Sequence, residues 1–100
     1  EIIKEDNIYP SIFVSDGSIL LTLWKADCDP AVEFDRKRNI GLHHFAVKVE
    51  SINDLEKIFR KINNSEYFVE FEPEPLGKSG HTHFMCLGPS NIRIEFIYVP

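Results

Sequence analysis

The side chains best suited to chemistry in this chain are a few histidines and one glutamate in strand-like segments. His43 and His44 lie in GLHHFAVKV (41–49), and Glu95 lies in IRIEFIYV (92–99). Neighbouring residues of an extended strand point to opposite faces. Phe45, Val47 and Val49 then share an apolar face, and His44 shares the other with Ala46 and Lys48. The same alternation separates Ile92, Ile94, Phe96 and Tyr98 from Arg93, Glu95, Ile97 and Val99. His44 and Glu95 are expected on the faces left open. His43 is expected on the apolar side, capping or packing the start of the strand. An imidazole and a carboxylate held together at a concave surface suit a divalent ion such as Zn, Ni, Co, Fe or Mn. The alternative is a hydrogen-bonded polar pair, and Arg93 offers Glu95 a salt bridge instead.

Weaker candidates surround this pair. His81-Thr82-His83 puts two imidazoles on one strand face, as in the His-x-His of cupins. No Glu follows within a few residues, so these histidines are expected at the surface or lining a cavity. Trp24 shares a face with Thr22 and is either a cavity wall or a core residue. Together Thr22, Trp24, His83 and Arg93 are the expected contacts to a small-molecule ligand. Asp27 and Asp29 read as linker polarity, and Cys86 as a packed thiol. A Ser-His-Asp set, a phosphate loop and a dinucleotide fingerprint are all missing from the sequence.

Composition limits what these groups can serve. One hundred residues make one small domain, 43% apolar and 27% charged, with eight Phe among the aromatics. A net charge of −5 argues against a nucleic-acid binder, and Arg36-Lys37-Arg38 reads as a solvated linker. No apolar run approaches membrane-spanning length. Cys28 and Cys86 lack CxxC spacing, which favours free thiols in a reducing cytoplasm.

The elements that must position the candidate residues can be read from periodicity. Ile52, Leu55, Ile58, Phe59 and Ile62 form one stripe, predicting a helix over 52–62 with Ser51 as N-cap. Strands are expected over 42–50, 67–72, 81–87 and 92–99, with Pro73 and Pro75 halting the second of these. Two further strands, 8–14 and 19–24, flank the hairpin signal Ser15-Asp16-Gly17-Ser18, and residues 1–4 read as the tail of another. Residues 25–40 read as a connector.

An internal repeat ties the two parts together. SDGSILLTLW (15–24) aligns without a gap on GPSNIRIEFI (88–97), setting Ile19 on Ile92, Leu21 on Ile94, Thr22 on Glu95 and Leu23 on Phe96. The second copy also has a strand and a helix at its front. Residues 1–40 thus read as a partial module, and residues 41–100 as a complete strand-helix-strand-strand-strand unit. In such a unit the first strand can lie parallel to the fourth, which brings His44 beside Glu95.

GLHHFAVKV, the helix DLEKIFRKI and the ending GPSNIRIEF together resemble one βαβββ module of the vicinal oxygen chelate superfamily. That superfamily includes glyoxalase I, extradiol dioxygenases and bleomycin-resistance proteins. The resemblance implies an α+β fold of paired βαβββ modules forming a half-barrel cup, the first module incomplete. It implies metal ligation by His44 from a first strand and by Glu95 from a fourth strand, with Glu95 doubling as the catalytic base. The equivalent position in the front module is Thr22, a poor ligand, and its first strand is absent. A four-ligand site is therefore not expected from this chain alone.

The resulting expectation is a cytoplasmic glyoxalase- or dioxygenase-like enzyme, a metal-dependent lyase or isomerase acting on a small molecule. The alternative is a non-catalytic, antibiotic-type binding protein of the same fold. Uncovered edges in the front module lead to the expectation of a homodimer, or of a further strand and helix of roughly 25–35 residues before Glu1.

Overall fold

The computed structural model describes residues 2–6 and 11–100. The chain forms two compact units, Glu1–Val32 and Glu33–Pro100. The segment 33–40, expected with the front part, thus clusters with the second unit.

In the first unit, β1 (Ile2–Asp6), β2 (Ser11–Ser15) and β3 (Leu20–Trp24) form an antiparallel sheet in that order. Residues 8–10 of the strand expected over 8–14 lie outside the described residues. The β2–β3 turn closes because Asp16 Oδ1 accepts from the Ser18 and Ile19 N–H groups, both at 2.8 Å. Gly17 supplies φ = 100° there, a conformation that a side chain would oppose.

The second unit holds β4 (Phe45–Val49), α1 (Ile52–Asn63), β5 (Val69–Pro75), β6 (Thr82–Leu87) and β7 (Arg93–Tyr98). Its sheet order is β4-β7-β6-β5, with β4 parallel to β7 and the other pairs antiparallel. This is the βαβββ arrangement inferred from the sequence. The Ser51 hydroxyl accepts from the Asp54 N–H at 3.1 Å, capping α1 as expected.

α1 covers one face of the sheet. Val49, Leu55, Phe84 and Cys86 form the buried cluster there, joined by Ile58, Phe59, Ile62, Ile94, Phe96 and Tyr98. Phe84 stacks on Phe96 at 5.2 Å and meets Phe59 edge-on at 5.6 Å. Leu55 has no exposed surface, and burying such a side chain contributes about 1.5–3 kcal/mol. Arg93, Glu95, His83 and Met85 lie on the opposite, helix-free face.

Two details depart from the sequence reading. β5 does not stop at Pro73 but runs to Pro75, with register shifts between Val69 and Phe71 and between Phe71 and Glu74. It is an edge strand, where a missing N–H can face away from the ladder. β4 begins at Phe45, so strand alternation does not reach back to His43 and His44.

Candidate functional site

The helix-free face carries a row of side chains from β7 in the order Arg93, Glu95, Ile97. Glu95 stands directly opposite Ala46 of β4 and Met85 of β6. His44 lies two residues before Ala46, and His83 two residues before Met85. Because β4 runs parallel to β7 and β6 antiparallel, the two histidines flank Glu95 from opposite ends. His44 sits at the Arg93 end, whereas His83 stands opposite Ile97. Diagonal neighbours of this kind are within reach of long side chains.

Each oxygen of the Glu95 carboxylate accordingly has its own imidazole. His44 Nε2 lies 3.4 Å from Oε1, and His83 Nδ1 lies 2.5 Å from Oε2. His83 is 7% exposed, and the Phe71 ring lies 5.1 Å from its own. His83, expected as a ligand contact, is buried here with its Nδ1 against the Glu95 carboxylate. The His-x-His spacing flagged its face, but nothing local in the sequence linked it to a glutamate twelve residues away.

Arg93 does not pair with Glu95. Its Nε and Nη2 donate to Glu70 Oε1 and Oε2 at 2.9 and 2.8 Å, a two-pronged ion pair. That pairing depends on the bulge in β5, which re-aims Glu70 towards the helix-free face beside Phe71. The Arg93 hydrogen bonds hold the Glu70 carboxyl below its ordinary range, and Glu70 in turn raises Arg93. Glu70 was missed from sequence because bulges leave no periodic signal.

His43 departs from expectation as well. It borders the same pocket as His44, because both precede the first paired residue of β4. Arg93 Nη1 lies 3.2 Å from His43 Nδ1, and His44 Nδ1 lies 2.7 Å from that same atom. Arg93 Nη1 also stands 3.5 Å from His44 Nδ1, and a guanidinium only donates, so both Nδ1 atoms face the same donor. Desolvation and the Arg93 charge lower the His43 pKa, which favours its neutral form. His44 Nε2 is then the nitrogen left to meet Glu95. Either a proton or a metal ion held between Nε2 and the carboxylate oxygen would join the two.

The 3.4 Å separation fits that role. Two donors of a tetrahedral ion, each about 2.0–2.1 Å from it, stand about 3.3–3.4 Å apart. A histidine that ligates through Nε2 usually donates its Nδ1–H to an acceptor, and the His43 Nδ1 at 2.7 Å is such an acceptor when its own proton sits on Nε2. His44 and Glu95 therefore fit as two donors to a divalent ion. No group of three or more His, Cys, Asp or Glu converges as a metal set among the described residues.

A pocket of about 520 Å³ in the second unit has His44, though not Glu95, in its wall. Phe34, Leu42, Leu87 and Ile92 give it apolar walls, and Arg36, His43, His44 and Arg93 add polar groups. Ser90 and Asn91, both at positive φ (58° and 60°), shape one rim. The loop on the other side is tied by Asp35, whose Oδ1 accepts from Lys37 N–H while its carbonyl accepts from Arg38 and Asn39. Arg36, read as part of a solvated linker, is half-buried here. Thr22 and Trp24 stand on β3 of the other unit; Trp24 is 63% exposed.

A sheet covered on one face by a helix, with a carboxylate on one strand of the other face and an imidazole just ahead of the adjacent parallel strand, defines a βαβββ module with a polar helix-free face. The sequence profile of the Glyoxalase/Bleomycin resistance protein/Dioxygenase superfamily matches residues 3–96, and the chain belongs to that superfamily. Two solved structures share the fold. One is a candidate glyoxalase from Bacillus halodurans, 22% identical, with a TM-score of 0.78, covering 99% of this chain and 74% of its own. The other is a glyoxalase/bleomycin resistance protein/dioxygenase from Alicyclobacillus acidocaldarius, 16% identical, with a TM-score of 0.71, covering 98% and 71%. Comparison with curated proteins finds no match. No helix among the described residues is long and apolar enough to cross a membrane.

Proposed function

We propose that the chain serves a small-molecule enzyme of the lyase, isomerase or dioxygenase-like kind, with His44 and Glu95 as protein donors to a divalent ion. The observation that carries this reading is the 3.4 Å gap between His44 Nε2 and Glu95 Oε1. Zn, Ni, Co, Fe and Mn all suit an imidazole–carboxylate pair. When bound, such an ion supplies Lewis-acid polarisation of a substrate oxygen.

The chain's own residues have separable roles. His83 holds Oε2, which leaves Oε1 aimed at His44. His43 and Arg93 contact His44 Nδ1, on the side of the ring away from Glu95. Glu95 Oε1, when it is not engaged as a donor to the ion, can take a proton from a substrate carbon. The two unpaired thiols, one exposed and one buried, support a reducing cytoplasm as the working compartment.

Calorimetric titration of Ni or Zn into the wild type, His44→Ala and His43→Ala tests the proposal. Near-stoichiometric binding should be nearly lost in His44→Ala and only weakened in His43→Ala. Proton release should accompany binding, because the ligating imidazole must be unprotonated. Equal affinities for the wild type and His44→Ala would sink the metal role. The second reading, a binding protein without catalysis, draws on the apolar-walled pocket and the two-donor set. Binding of an apolar compound with no metal requirement and no turnover would favour it.

A further inference from the structure

The pocket beside His44 has one feature that the metal reading does not use. Arg36 lines it, and its Nε is buried with no hydrogen-bond partner among the described residues. The nearest carboxylate contact of Arg36 is Nη2 to Glu70 Oε1, at 3.9 Å, too long for a hydrogen bond. Glu70 is already engaged by both prongs of Arg93. Arg93 is therefore satisfied and Arg36 is not. A buried donor without a partner is costly, and such groups are normally matched by protein, water or ligand.

We infer that the pocket takes a small organic monoanion, with an apolar body against Phe34, Leu42, Leu87 and Ile92 and a carboxylate held by the Arg36 guanidinium. A guanidinium fork matches a carboxylate geometrically, as Arg93 and Glu70 demonstrate in the same site. A volume of about 520 Å³ lies within the range that small-molecule sites occupy. Glu33 and Asp35 also border the pocket and offset Arg36 and Arg93 in formal charge, which leaves no surplus for a multiply charged ligand. That balance favours one oxyanion on an apolar frame over a polyphosphate. The inference names the substrate class of the proposed small-molecule site and rests on that reading, but it does not require a metal.

The test compares 3-phenylpropionate with its neutral counterpart, 3-phenylpropanamide, by NMR titration of the full chain without added metal. Arg36→Gln and Arg36→Lys are titrated alongside the wild type, and their amide spectra verify folding. The acid should bind the wild type at least about tenfold more tightly than the amide, with shifts at Leu87, Ile92 and His43. Arg36→Gln should abolish the difference, and Arg36→Lys should restore part of it. Equal affinity for acid and amide, binding of neither, or a selectivity that survives in Arg36→Gln would each overturn the inference. Metal titration of the same samples reports separately: carboxylate selectivity without metal affinity would defeat the metal proposal and leave this one standing.

Discussion

Strands β3 and β7 end segments that align residue for residue, yet their side chains meet different surroundings. Leu21 and Leu23 of β3 are 39% and 45% exposed, while their counterparts Ile94 and Phe96 pack against the core beneath α1. β7 is hydrogen-bonded on both edges, to β4 and β6; among the described residues β3 pairs only with β2. The positions on the other face diverge too. Thr22 is an exposed hydroxyl, and Glu95 is a carboxylate between two imidazoles. The same turn-and-strand pattern becomes a core element with a polar site only where a parallel strand and a helix complete it. A strand's pattern specifies which side chains share a face, and its neighbours decide what that face does.

The largest expected effect tests the helix contribution. Leu55→Ala should cost about 2–5 kcal/mol in urea unfolding, because it leaves a cavity under α1. Leu23→Ala, on the exposed strand, should cost less than about 1 kcal/mol. Similar losses for the two would erase the contrast between the units.

Next come the aligned polar positions. Glu95→Gln should weaken the proposed metal binding by about 100-fold or more, since it removes a donor rather than an outer partner. Thr22→Ala should leave it unchanged. A metal affinity that falls equally in both, read by calorimetry, would mean that Thr22 contributes to the site.

A smaller effect concerns acid. Arg93 hydrogen bonds lower the Glu70 pKa in the folded chain, so the ion pair contributes stability above the ordinary glutamate value. That contribution should be lost progressively as pH falls below about 4.3 and through the depressed folded value. Glu70→Gln should remove this share of the pH dependence, as judged from unfolding curves at pH 7 and at lower pH.

The turns give the smallest effect and the sharpest local contrast. Gly17 holds φ = 100° in the first hairpin, whereas Ser90 holds φ = 58° in the second. Gly17→Ala should destabilise by about 1 kcal/mol. Ser90→Gly should stabilise by about 0.5 kcal/mol, the balance of relieved strain and added chain freedom. Thermal unfolding resolves both, and a stabilising Gly17→Ala would show that backbone strain does not govern that turn.

Much of this arrangement was legible in the sequence. The 3.6-residue stripe of Ile52, Leu55, Ile58, Phe59 and Ile62 determined α1 and the face it covers. Alternation in 45–49 and 93–98 determined that Phe96 turns inward and Glu95 outward. The repeat of 15–24 in 88–97 determined that a hairpin closes each unit. These readings succeed because a regular element imposes its period on every residue it contains. The expected position of His43 failed for the same reason, since the period ends where pairing ends, at Phe45.

Tertiary structure alone decided who touches whom on the helix-free face. His83 reaches Glu95 because antiparallel register sets it diagonally across two strands, a relation with no trace in local spacing. Glu70 reaches Arg93 because a bulge in β5 turns it, and Arg93 is thereby withheld from Glu95. Arg36 enters the pocket wall because Asp35 ties its loop back on itself. Sequence period determines facing over a few residues, but pairing register, bulges and loop closure act between distant segments and exist only in the folded chain.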